Sequence, residues 1–127
     1  MPPSLSGFDI ASAQKRLGGN GRLLADLLRT FAAEHGACAA DIDQLLREQR
    51  LATAAAALHR VKGAAHIVGA ESVAAAAQAL EDDVRHGRRG DIAAFAHALS
   101  DAVENIRQHV AAVPVEKDIG AVDAYKS

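Results

Sequence analysis

The chain has 127 residues, enough for one compact domain with a single core and too few for two. Half of the residues are hydrophobic but only 3% are aromatic, and apolar weight carried by Ala and Leu favours helix over strand. Fourteen Lys and Arg against sixteen Asp and Glu leave a net charge of −2 with both signs interspersed, which excludes a basic surface for nucleic acid, while Cys38, the single cysteine, excludes an internal disulfide and a thiolate-rich metal site.

Residues 1–7, MPPSLSG, read as a flexible leader without the charged and apolar regions of a secretory signal. Asp9 then caps a short helix that runs to the breaker GGNG at 18–21, an accessory piece ahead of the main helices. From 22 to about 49, Leu24, Leu27, Leu28, Phe31, Cys38, Ile42 and Leu45 recur at steps of three and four. They line one side of a single long helix, which Gly36 weakens or bends.

Leu51, Ala54, Leu58, Val61, Ala65 and Val68 form the next stripe, stopped by Gly69. Val73, Ala77, Leu80 and Val84 form a third, ended by RHGRRG, where basic residues suit the negative end of a helix dipole. Asp91 caps a last helix with Ile92, Phe95, Leu99, Val103 or Ala102, Ile106 and Val110 inward, closed by Pro114. The tail at 114–127 has no pattern and is expected to be mobile. The expected fold is all-α: an antiparallel up-and-down four-helix bundle over 8–113, with the short N-terminal helix added. No apolar run is long enough to span a bilayer, so no membrane contact by this domain is expected.

The stretch LHRVKGAAHIVGA, residues 58–70, carries the chemistry. With His59 at zero on a wheel of about 100° per residue, Val61 and Val68 fall near the far side, so His59 points away from the core. Ala52, Ala55, Ala56, Lys62, Gly63 and His66 lie within about 60° of it. An outward helical face is ordinarily filled with long polar side chains; here alanines and a glycine surround an imidazole. An isolated helical histidine is ordinarily just a surface residue, but Gly63 costs about 1 kcal/mol in a helix interior. A face cleared for a close-approaching partner explains both features. Lys62, one turn on, supplies a point positive charge for a phosphate or carboxylate brought to the histidine. A neutral imidazole has one unprotonated nitrogen that can take up a group.

The same stretch resembles the signature of the histidine-containing phosphotransfer (HPt) domain family, in which an H-x-x-K-G core precedes a Gly-Ala or Gly-small pair: His59, Lys62, Gly63, Gly69 and Ala70 match. GFDIASAQKRLGGNGRLLADLLRTF upstream is similar to the opening of HPt domains of bacterial hybrid sensor kinases, and AAAAQALEDDV downstream resembles the family's next helix. The similarity runs from 7 to 113. Departures are Arg60 and Ala64, where many members carry Ser or Thr, and His66, at a position often Asn or Ser.

The resemblance implies a cytoplasmic four-helix bundle, free-standing or part of a membrane-anchored sensor kinase, whose His59 takes a phosphoryl group from a receiver-domain aspartate and passes it to another. Lys62 would stabilise charge, and Ala52, Ala55, Ala56, Gly63 and His66 would meet the partner, His66 shaping the rim rather than serving as a second acceptor. The partners implied are receiver domains of a hybrid sensor kinase or response regulator, with Mg²⁺ on the receiver, no cofactor in this chain, no autonomous kinase activity and a monomeric state. GGNG lacks the spacing and lysine of a phosphate-binding P-loop. No metal site is expected: two Glu-x-x-His motifs are missing, and His59 and His66 stand about 10.5 Å apart along a helix. The alternative is a non-catalytic helical module that binds a receiver or partner helix without carrying phosphate.

Overall fold

The structure, a computed structural model, describes residues 8–88 and 90–111; the expected leader at 1–7, the expected tail at 114–127 and Arg89 of the RHGRRG run lie outside these. Among the described residues there are six helices and no strand: α1 (Ile10–Arg16), α2 (Gly21–His35), α3 (Cys38–Arg47), α4 (Leu51–Val68), α5 (Glu71–Arg85) and α6 (Ile92–Ala111). Local caps set several of the starts. Asp9 accepts the Ser12 N–H at 3.1 Å, Asn20 of the GGNG breaker accepts the Leu23 N–H at 2.9 Å, and Asp91 accepts the Ala94 N–H at 3.0 Å.

The one long helix expected from 22 to 49 is two, with Gly36 and Ala37 between them. Gly36 sits where α2 meets α6: a β carbon there would overlap the Ala32 carbonyl oxygen and press on Val103 Cγ2 at 3.3 Å. Ala37, at φ −108° and ψ 9°, then leaves the helical region. The break resets the phase of the apolar stripe, so that Leu46 is buried in α3 while Leu45 is only partly covered. Gln49, at φ 59°, turns the chain into α4.

α2 and α3 together fill one position of the bundle, both packing on α4 and α6, while α5 packs on α4 and α6. The α4–α5 pair is the most extensive contact, joined through Gly69 and Ala70 alone, which folds α5 back along α4. Both helices carry buried alanines, Ala54, Ala55 and Ala65 on α4 and Ala74 and Ala77 on α5. Their small size permits a close approach of the two helices. The centre is filled by Leu24, Leu28, Phe31, Leu58, Leu80, Phe95, Leu99 and Ile106.

The C-terminus of α4 is held by α1. Gly69 is left-handed at φ 77°, and a β carbon on it would come within 2.6 Å of the Asp9 carbonyl oxygen. Its own carbonyl accepts the Asp9 N–H at 2.7 Å, and Arg16 Nη2 donates to the His66 carbonyl at 2.5 Å. Among the described residues, no helix is long and apolar enough to cross a membrane.

Candidate functional site

His59 lies at the middle of α4 with its side chain 63% exposed, while Leu58 and Val61 beside it are buried. Its sequence-assigned neighbours divide by which side of the histidine they occupy. Ala52, Ala56 and Gly63 are exposed, and a β carbon added to Gly63 would meet nothing within 4 Å. On the other flank stands α5. Ala55, expected on the docking face, is only 2% exposed in the α4–α5 seam and offers no surface to a partner. The wheel puts it about 40° from His59, but the angle alone does not say where the neighbouring helix begins to cover the face.

Lys62 also leans toward α5, with its side chain 20% exposed. Its Nζ donates to Gln78 Oε1 at 2.7 Å and lies 3.6 Å from Glu81 Oε1. Glu81 is the residue that sequence reasoning missed. It is 4% exposed, the one buried charged side chain among the described residues. Its Oε2 accepts from Arg85 Nε at 2.8 Å and sits 3.3 Å from His59 Nδ1. Its Oε1 has no hydrogen bond. Burial opposes ionisation of Glu81, but the Arg85 hydrogen bond and the charges of Lys62, Arg85 and His59 outweigh it, holding the carboxyl below its ordinary range. An ionised carboxylate only accepts, so a neutral imidazole facing it carries its proton on Nδ1 and keeps its lone pair on Nε2.

His66 is exposed on the same flank of α4, its carbonyl taking the Arg16 hydrogen bond of the α1 clasp and its Nδ1 3.6 Å from Glu71 Oε2. Beyond Gly63, on the side away from α5, Ile67 is 55% exposed, and behind it a cleft of about 110 Å³ opens between α2 and α4, lined by Leu27, Thr30, Phe31, Glu34, His35, Ala64, Ile67 and Val68. Leu23, at the start of α2, is 41% exposed. Neither Ile67 nor Leu23 belonged to the expected docking set. An isoleucine four residues after Gly63 was the available signal.

Three of the other histidines are occupied elsewhere. The His35 ring lies 5.5 Å from that of Phe31, His97 pairs with Asp101 at 3.2 Å, and His86 Nδ1 is 2.6 Å from the Asp82 carbonyl oxygen. Asp83 pairs with Arg88 at 2.9 Å rather than with His86. Among the described residues, no group of three or more His, Cys, Asp or Glu side chains is arranged to hold a metal ion.

A family model described as Hpt domain matches residues 26–109, about two thirds of the 127-residue chain. The chain belongs to the Hpt domain family. No curated protein and no solved structure matches it. The match runs from the first turns of α2 almost to the end of α6 and contains His59 and the charged cluster; α1 lies before it. Hpt domains are histidine phosphotransfer modules of phosphorelays, without kinase activity of their own, that interact with receiver domains.

Proposed function

We propose that this Hpt domain is a relay intermediate that takes a phosphoryl group on His59 from the aspartate of one receiver domain and passes it to the aspartate of another. One observation carries the reading: an imidazole 63% exposed, beside a glycine with open space around it, turns Nδ1 toward a buried carboxylate.

The Nε2 lone pair forms the bond to phosphorus as the phosphorus–oxygen bond to the donor aspartate breaks, and the aspartate leaves as carboxylate with the electron pair. The ring becomes cationic with its proton still on Nδ1, where Glu81 faces it at 3.3 Å. A carboxylate in that place fixes the tautomer and stabilises the imidazolium, as the aspartate does for the histidine of a catalytic triad. Return transfer restores the neutral ring with no proton moved. Lys62, on the flank of His59, supplies positive charge to offset the incoming phosphoryl oxygens. Mg²⁺ belongs to the receiver, and no cofactor is assigned to this chain.

The receiver is assigned to the side away from α5, over Ala52, Ala56 and Gly63 and on toward Ile67 and the α2–α4 cleft. An exposed isoleucine beside an apolar cleft suits a partner's apolar helix face. His66 contributes to the rim.

The test is a reconstituted relay. A receiver phosphorylated on its aspartate is mixed with this chain and then with a second receiver, and phosphate is followed on each. Passage to the second receiver through wild type, and none through His59→Gln, is the expected result. A chain that binds both receivers and never carries phosphate would overturn the reading and leave a docking module.

A further inference from the structure

The ammonium of Lys62 makes a long ion pair with a carboxylate but no hydrogen bond to it. Its distance to Glu81 Oε1 is 3.6 Å, and that oxygen, buried, has no hydrogen bond at all. The close contact is instead with the neutral amide oxygen of Gln78, at 2.7 Å. Left alone, a half-buried cation and an unsatisfied carboxylate oxygen would close on one another, since a charge-assisted hydrogen bond is about twice as strong as a neutral one. Something holds them apart.

From these contacts we infer that Gln78, oriented by Asp82, is a positioning residue that keeps the Lys62 cation from closing to a tight, hydrogen-bonded pair with Glu81 next to His59. The inference rests on reading His59 as the phosphoacceptor. The orientation of the amide is set by charge on both sides: its nitrogen donates to Asp82 Oδ1 at 2.8 Å and its oxygen faces the ammonium. Reversed, the amide would turn N–H groups toward a cation and an oxygen toward an anion. Asp82 lies one turn beyond Gln78 on α5, so the pair forms an arm that reaches across the seam to α4.

The consequence lies in what happens when phosphate arrives. The cluster holds Glu81, Lys62 and Arg85 around the imidazole, and Glu81 Oε2 is already used by Arg85 and faces His59. A lysine bonded to a neutral amide gives up one ordinary hydrogen bond to reach a phosphoryl oxygen. A lysine hydrogen-bonded to the carboxylate would have to break a tight ion pair rather than leave a long one. Gln78 therefore sets how readily the charge of Lys62 is delivered.

The experiment labels the whole chain with phosphoramidate and measures the rate at which phosphate appears on His59 and its lifetime there, for wild type, Gln78→Glu, Lys62→Met and the double variant. Gln78→Met, similar in shape but with only a weak acceptor, guards against a Gln78→Glu chain that fails to fold. Either Gln78 variant should label about tenfold more slowly, the loss of one charge-assisted contact in the transition state. In the Lys62→Met background the same substitutions should cost nothing further. Wild-type rates in both Gln78 variants, or an equal loss with and without Lys62, would overturn the inference, because a merely structural role for Gln78 would not depend on the lysine. No phosphate on wild-type His59 would instead overturn the phosphoacceptor reading beneath it.

Discussion

At Gly63 the helix carries a residue that its own packing does not require, since an added β carbon would meet nothing within 4 Å. Gly63→Ala should therefore stabilise the isolated domain by about 1 kcal/mol, read as a raised thermal midpoint. Gly63→Gln should leave labelling of His59 by phosphoramidate unchanged while slowing transfer from a phosphorylated receiver at least about tenfold, because only the larger donor meets the new side chain. Equal slowing with both donors would show that the glycine serves the histidine rather than the approach to it. Cys38 makes a separate prediction. Burial first, and then the charge of Asp41, push its thiol up to about 11, so at pH 8 it should react with thiol reagents far more slowly than free cysteine. The bare face was legible from helical spacing because exposure at His59, Ala52, Ala56 and Gly63 depends on α4 alone. Ala55 was not, because the edge of that face is drawn by α5.

At the scale of elements, two boundaries decide what a partner can touch: the α4–α5 seam, closed by alanines, and the α2–α4 cleft, left open beside Ile67. Ile67→Glu should weaken receiver binding about tenfold or more by placing a charge on an apolar contact, measured by titration, with phosphoramidate labelling of His59 intact. Unchanged receiver affinity would move the docking surface off this side. The stripes of α4, α5 and α6 were readable because each is continuous and each points at one core. The split between α2 and α3 was only half readable: Gly36 marks the weak point, but the close approach of Val103 is a tertiary contact that no local pattern records. Glu81 is harder still. It follows His59 by 22 residues (81 − 59), and the two meet only because the Gly69–Ala70 turn sets the register of α5 against α4.

For the whole molecule, the buried carboxylate links the site to stability. Glu81 is held below its ordinary value of 4.5 in the fold, so its contribution is complete above the unfolded value and is lost as pH falls through the folded one. Wild type should exceed Glu81→Gln by about 1–3 kcal/mol in unfolding free energy at pH 7, with the gap narrowing below about pH 4.5. A gap that stays constant down to pH 3 would mean that the carboxylate's charge does not stabilise the bundle. The central claim, that His59 takes a phosphoryl group on Nε2 while Glu81 keeps Nδ1 protonated, is tested most directly by nitrogen-15 NMR of the phosphorylated chain, with mass analysis of wild type and His59→Gln. The account requires an acid-labile, alkali-stable phosphate on Nε2 of His59 that is absent from the variant. Phosphate on Nδ1, or a label that persists in His59→Gln, would contradict it.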